Sequence, residues 1–406
     1  MTRRAPLAGV RVADFTWVWA GPFCTLQLAH LGAEVIRVET ATRLCVTRLL
    51  PPFPRNERPT PDSSGYFNQY NQGKHSITLD LKHPEGVDVA KRLCAHSDVV
   101  VENFAAGVMD RMGLGYDILR GQKPDVVMIA LSGYGATGPD HDKVSYGPAQ
   151  VPLSGLSSVT GYRGFPPMHV GVSYGDPTGG LHGAVAVLAA LLHRARTGQG
   201  QYIDLSQWET TMAVLPDAIV DWTANRRQPP RDGNRDPQMA PHGIFPAAGE
   251  QRWVAIAIED DAAWGRFATA IGQPGLATDP RFASLAARKW NEDDLEPIVA
   301  AWTAARTPEE VTATLQTVAV PAFTVMSNRD LADDAHLAAR GFFVDLKHPV
   351  VGVRRHLGVP WRMSESDCHV RRPAPCLGAD TERVLSEICG YSADEIARLR
   401  GANVLV

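Results

Sequence analysis

The sequence predicts an α/β fold built around a mainly parallel sheet, and three observations lead there. Strand-like and helix-like segments alternate through the first 130 residues, the pattern left by repeated βαβ units. The chain has 406 residues, enough for one large domain with a smaller one, or for two similar domains. Its composition, 44% hydrophobic and 21% charged, is that of an ordinary globular protein and not of a disordered or fibrous one.

The elements follow in order. Val10 to Phe15 is a short apolar strand, Ala20-Gly21-Pro22 reads as a break after it, and Cys24 to Leu31 carries a helical pattern. Gly32 fits the left-handed residue that ends many helices. Glu34 to Val38 is the next strand. The cycle then repeats with a helix from about Pro84 to His96, a strand at Val99 to Val101, and another at Val126 to Leu131. A helix starts at Asp176 and runs to about Arg196; its most apolar stretch, Leu181 to Leu192, is about a dozen residues. A bilayer needs roughly 20, so this helix is predicted to be buried and no membrane is implied. Gly198 to Gln201 turns the chain, Tyr202 to Leu205 is a strand, and Ser206 caps a further helix.

Composition changes near Asn225. The stretch from Arg226 to Pro241 is rich in Arg, Pro, Gly and Asn, as a linker or exposed loop would be. Trp253 to Ile258 is then a strand, followed by a mostly helical region. Thr307, Pro308 and Glu310 form a helix start with its capping box, and Ser392 to Glu395 repeats that logic before Ile396 and Leu399.

Charge and special residues exclude several function classes. The net charge is −4 without a long basic run, which argues against nucleic acid. A phosphate-bearing small molecule needs only a few local cations. The six cysteines form no CxxC pair and read as reduced, packing thiols of a cytoplasmic protein. Met1 to Gly9 carries two arginines but no apolar run, so it is not a signal peptide. There are 13 histidines, yet no H-E-x-x-H and no Cys/His cluster with zinc spacing, so no metal is predicted. No G-x-S-x-G elbow announces a serine hydrolase.

Four groups of residues are candidates for chemistry. Glu39 ends the second strand, where a dinucleotide fold places a ribose-binding acid. The preceding turn, Trp19-Ala20-Gly21-Pro22-Phe23, lacks the G-x-G-x-x-G phosphate loop, which argues against NAD. Tyr174-Gly175-Asp176-Pro177-Thr178-Gly179-Gly180 reads locally first as a helix cap and only second as a nucleophile at a helix N-terminus. Its glycines would leave room for a reacting group. Lys74, His75, Lys82, Arg111 and Lys143 are scattered cations whose default is a solvated surface. Asn103 to Gly107 follows a strand end, where open parallel sheets bind ligands; Asp140-His141-Asp142 reads as a polar turn.

Several segments together resemble one family. Leu7 to Thr16 (LAGVRVADFT), Ala20-Gly-Pro, Leu31 to Glu39 (LGAEVIRVE) and Gly73 to Lys82 (GKHSITLDLK) are four of them. Asp98 to Phe104 (DVVVENF), Asp110 to Gly115 (DRMGLG) and Ser132 to Pro139 (SGYGATGP) continue the pattern, with Arg196 to Gln201 and Gly390 to Ile396 behind them. In order and spacing, across nearly the whole chain, these are similar to class III CoA transferases, which include formyl-CoA transferase and carnitine-CoA transferase.

The resemblance implies a Rossmann-like large domain with an inserted smaller α+β domain, in an interlocked homodimer. Residues 1–224 would be the N-terminal part of the large CoA-binding domain, 225–327 the linker and small domain, and 328–406 the return linker and C-terminal part. It implies Asp176 as covalent nucleophile, with acyl-CoA and a carboxylic acid as substrates and no tightly bound cofactor. With an ordinary pKa of about 3.9, that carboxylate would be more than ~99.9% ionised at pH 7 and would need no partner base. CoA contacts implied at matching positions are Val18, Trp19, Ala20, Leu79 to Lys82, Asn103, Phe104, Ala105 and Arg111, with Val144 to Gly147 on another such stretch. Arg111 suits a phosphate through its bidentate guanidinium.

The chain also departs from formyl-CoA transferase. Trp17 and Trp19 replace smaller or polar residues, Thr40 stands where an arginine is usual, and Asp236 to Gly243 replaces a glycine-rich loop. These changes imply a different acyl pocket, larger than oxalate requires. An acyl-CoA racemase of the same fold would need a histidine where Ser145-Tyr146-Gly147 stands. A non-catalytic CoA-binding protein would leave Asp176 only as a helix cap.

Overall fold

The structure, a computed structural model, describes residues 3–55 and 58–406. Six strands, β1 (Arg11–Asp14), β2 (Glu34–Glu39), β3 (His75–Thr78), β4 (Val99–Glu102), β5 (Val127–Ser132) and β6 (Tyr202–Ser206), make one sheet in the order β3-β2-β1-β4-β5-β6. Every pairing is parallel; in register, Ala13 lies between Ile36 and Val100. The order reverses between β1 and β4. At such a switch point the loops beyond the carboxyl ends of the two strands diverge and open a crevice for ligand.

Helices cover both faces, so successive strand residues feed two separate cores. Val12, Val35, Val99 and Val127 pack under the helices Ala20–His30 and Gly175–Thr197, against Cys24, Leu28, Ala184 and Val187. Ala13, Ile36, Val100 and Met128 face the other way, against Val89 and Leu93 of the helix Pro84–Ala95 and the C-terminal Leu385, Ile396 and Leu399. The Gly175–Thr197 helix approaches closely because it carries glycines. A Cβ on Gly180 would stand 2.7 Å from Ala20 O, and one on Gly183 would stand 2.7 Å from Leu131 Cδ2.

Two local expectations need correction. The first helix starts at Ala20, not Cys24, because Pro22 falls in the first turn, where no intrahelical N–H is lost. The strand β3 went unanticipated, since three of the four residues His75–Thr78 are polar; Ser76 Oγ donates to Glu39 Oε2 at 2.8 Å and the Ser76 N–H to Asp380 Oδ2 at 3.0 Å. The caps behave as local chemistry dictates. Gly32 has φ +99°, Ser206 accepts from the Glu209 N–H, and Thr307 and Ser392 each close a capping box.

The chain divides into two compact units, one of residues up to 157 with 169–228 and 337–406, the other of 158–168 with 229–336. The first holds the parallel sheet. The second has an antiparallel sheet, β7 (His242–Pro246), β8 (Trp253–Ala257) and β9 (Ala322–Thr324), and a core around Trp264, Phe267, Phe282 and Val311. A two-stranded hairpin, β10 (Phe343–His348) and β11 (Gly352–Leu357), lies in the first unit. Among the described residues, no helix is long and apolar enough to cross a membrane.

Candidate active site

Asp176 sits in the first turn of the Gly175–Thr197 helix and is only 7% exposed. A second helix starts beside the same carboxylate: the backbone N–H of Ala20, first residue of Ala20–His30, faces it and favours its charged form. Two helix N-termini therefore lie beside one carboxyl group, and each carries unpaired N–H groups and a partial positive charge. Burial acts the other way and dominates, raising the Asp176 pKa to about 7, while the Ala20 N–H lowers it. Burial thus works against the full ionisation expected of an ordinary aspartate at neutral pH, holding this carboxyl well above the usual range.

A cavity of about 200 Å³ opens beside this carboxylate, lined by loops after β1, β4 and β5. Trp19 forms one wall, with its ring 6.0 Å from Tyr66 and 5.2 Å from Tyr70. Tyr66 and Tyr70 are raised in pKa by burial first; the nearby Asp176 charge also raises both. Two donors in the wall, Trp19 Nε1 and Ser132 Oγ, are buried with no hydrogen-bond partner among the described residues. A buried donor left unpaired is costly unless a ligand satisfies it.

The sequence profile described as CoA-transferase family III matches residues 7–381. The chain belongs to that family. It is 34% identical to the succinyl-CoA–D-citramalate CoA-transferase of Chloroflexus aurantiacus, over 98% of both chains. It is 33% identical to the succinate–glutarate CoA-transferase of Agrobacterium fabrum, over 95% of this chain and 96% of that one. The crystal structure of a CaiB/BaiF family protein from Brucella suis superposes with a TM-score of 0.87 at 31% identity, covering 95% of this chain and all of that one. This protein is thus a CoA-transferase, acting between an acyl-CoA thioester and an acid.

The transferase gathers part of the residue set drawn from its sequence. Val18, Trp19, Asn103, Phe104 and Ala105 line the cavity with Asp176, as do Lys143, Ser145, Tyr146 and Gly147. Ala20 is buried and reaches the site through its backbone. Leu79 is a core residue at 1% exposure, while Lys82 and Arg111 are exposed and lie outside this cavity. Trp17 does not line it; the Arg43 guanidinium lies 5.2 Å over its ring. Thr40 is in an adjacent loop, where its hydroxyl is 3.0 Å from that of Thr42.

Three readings of charged side chains change. Lys74 is no surface cation: fully buried, it donates to Asp14 Oδ2 (3.2 Å), Thr25 Oγ1 (2.7 Å), Asn71 Oδ1 (2.9 Å) and Pro22 O (3.0 Å). His75 is likewise engaged, 2.7 Å from Asp380 Oδ1. Glu39, at the ribose-binding position of a dinucleotide fold, is buried against Arg48 (2.7 Å) and Arg37 (3.3 Å). Burial opposes its ionisation, but the two guanidiniums prevail and lower its pKa to about 2.

Sequence reasoning missed Tyr66, Tyr70, Ser132, Tyr134 and Gln207, all of which belong to the cavity lining or its aromatic wall. Tyr66 and Tyr70 stand four apart on the helix Gly65–Tyr70 and so share a face. Ser132 ends β5, where the carboxyl-end rule for parallel sheets would have found it.

Proposed function

We propose that this transferase moves CoA through covalent intermediates on Asp176. The observation that carries the reading is the buried Asp176 carboxylate, set between two helix N-termini in a cavity at the sheet's switch point. One Asp176 oxygen attacks the donor thioester carbon, the C–S bond breaks, and CoA thiolate leaves a mixed anhydride. The thiolate attacks the aspartyl carbonyl, releasing the donor carboxylate and forming an aspartyl-CoA thioester. The acceptor carboxylate attacks that thioester to give a second anhydride, and the thiolate then takes the acceptor acyl group and frees Asp176. Charge and protons balance at each step, and no ATP is consumed. Retaining CoA between steps keeps the thiolate at high effective concentration, and binding of the CoA tail offsets the uphill anhydride step.

The larger unit is the CoA-binding domain in this reading. Val18, Trp19 and Asn103 to Ala105 flank the thioester, while the exposed Lys82 and Arg111 serve the phosphates. Succinyl-CoA is the donor, as the names of the relatives suggest for them, and no tightly bound cofactor takes part. The acceptor is an acid larger than oxalate that packs on Trp19, Tyr66 and Tyr70, its oxygens met by Trp19 Nε1 and Ser132 Oγ. The protein works as a cytoplasmic homodimer. Supporting this, the six cysteines are free thiols. The helix Pro216–Asn225 buries none of its residues and exposes Ile219, Val220 and Trp222, and Leu181, Val185 and Leu192 form an exposed apolar stripe on Gly175–Thr197. Apolar surface of this extent calls for a partner; a monomer by light scattering would remove the dimer.

Intermediate trapping tests the mechanism. The protein is incubated with acyl-CoAs and no acceptor, quenched with hydroxylamine, and digested for mass spectrometry. A hydroxamate on Asp176 is the expected result. No adduct across a broad pool, with CoA binding intact, returns Asp176 to a capping role.

A further inference from the structure

Asn103 spends both polar atoms of its side chain on one backbone unit. Its Oδ1 accepts the Trp17 N–H at 2.7 Å, and its Nδ2 donates to Trp17 O at 2.8 Å. The next residue, Val18, has φ +63°, a left-handed conformation that a β-branched side chain strongly disfavours. The other described non-glycine residues with positive φ are Arg226, Gln251, Ala319 and Asn403; none is β-branched and none lines the Asp176 cavity. Two residues after Val18 the helix starts, at the Ala20 N–H that meets Asp176. Gly21 leaves space in this turn, since a Cβ there would stand 2.4 Å from Thr16 Cβ and 3.0 Å from Asn103 Cγ. Strain held by its surroundings beside a reacting group is a recurrent mark of preorganisation.

We propose that Asn103 is a positioning residue: by clamping Trp17 it holds Val18 in the left-handed turn that aims the Ala20 N–H at Asp176 and presents Trp19 to the cavity. Any contact of this segment with CoA then comes from the backbone and from its neighbours, not from the Asn103 amide. The proposal rests on Asp176 being the nucleophile, and its test separates the two.

The experiment compares the full chain with Asn103→Ala, Val18→Gly and the double variant. Rates of hydroxamate formation at saturating acyl-CoA, CoA affinity by calorimetry and crystal structures are the readouts. Asn103→Ala is expected to slow adduct formation about 100-fold, the scale of a misplacement of about 1 Å, with CoA affinity held within about threefold and Val18 relaxed to negative φ. Adding Val18→Gly to Asn103→Ala should recover at least about tenfold, because glycine takes positive φ without steric cost. If Asn103→Ala does not fold, Asn103→Asp keeps the volume and the acceptor, loses the donor, and is read the same way. Val18 staying at positive φ in the clampless variant overturns the proposal. So does a rate loss that Val18→Gly does not recover and that tracks weakened CoA binding. Absence of any adduct in the unmodified protein overturns the nucleophile assignment instead, and the Val18 geometry still decides the clamp.

Discussion

Gly147 lies so close to Asp176 that a methyl group on its Cα would overlap Oδ2 and Cγ of the carboxylate. The segment that ends in Ser145, Tyr146 and Gly147 thus lies against the candidate nucleophile and adds to the burial that raises its pKa. A side chain there fits only if the carboxylate moves aside.

Gly147→Ala is therefore expected to displace the carboxylate while sparing the fold, since Gly147 is only half-buried at the start of a surface helix. Transferase kcat/KM should fall by about 100-fold, with a melting temperature close to that of the parent. A fully active Gly147→Ala protein would show that the segment does not rest on Asp176 in solution.

The Asp176 pKa sets a pH dependence. With the Asp176 anion as the proposed nucleophile and burial raising its pKa to about 7, kcat/KM should climb with pH through that value and level off above it. An aspartate with its ordinary pKa would give a flat profile from about pH 5 upward. Stability runs in the opposite direction. Between the unfolded value of 3.8 and about 7 the folded chain holds a proton that the unfolded chain releases. This residue's contribution to stability is complete below that window and is lost as pH rises through it. Asp176→Asn should abolish transfer and, above pH 7, stabilise the protein by up to about 4 kcal/mol, with the gain vanishing near pH 4. Denaturant titrations at both pH values give the answer; an equal effect at both would rule out the raised pKa.

Trp19 walls the cavity beside Asp176, the proposed acyl pocket. Trp19→Leu removes two ring contacts, with Tyr66 and Tyr70, each of about 0.5–1.5 kcal/mol. It should also shift the ratio of kcat/KM between a bulky and a short acceptor acid by about tenfold or more. An unchanged ratio across an acid panel would place selectivity elsewhere.

Lys74 illustrates a charge with no role at the surface. Lys74→Met leaves the Asp14 carboxylate buried without its ammonium partner, and breaking such a pair costs about 3–5 kcal/mol. Urea denaturation should report that loss, and one below about 1 kcal/mol would mean that the Thr16 and Thr25 hydroxyls, with Arg37, suffice for Asp14.

Much of this protein is legible in its sequence because the chemistry involved is short-range. The runs Val99 to Val101 and Val126 to Leu131, spaced by helix-length segments, determined a parallel sheet, because β-branched and aliphatic residues without alternation suit strands buried on both faces. Thr307 with Glu310 and Ser392 with Glu395 determined helix starts, because a capping box closes within four residues. Asp176 before its glycines read locally as a helix cap, and the family resemblance is what singled it out as a candidate nucleophile. What the tertiary structure decided rests on partners far apart in the chain. Lys74 read as a solvated cation and Glu39 as a candidate ribose-binding acid until Asp14, Arg37 and Arg48 enclosed them. His75 to Thr78 became a strand only against Glu39 and Asp380. The basicity of Asp176 was equally out of reach, since a pKa reports the solvent removed by every group around the carboxylate, and Gly147, Ala20, Tyr66 and Tyr70 converge there only once the sheet has formed.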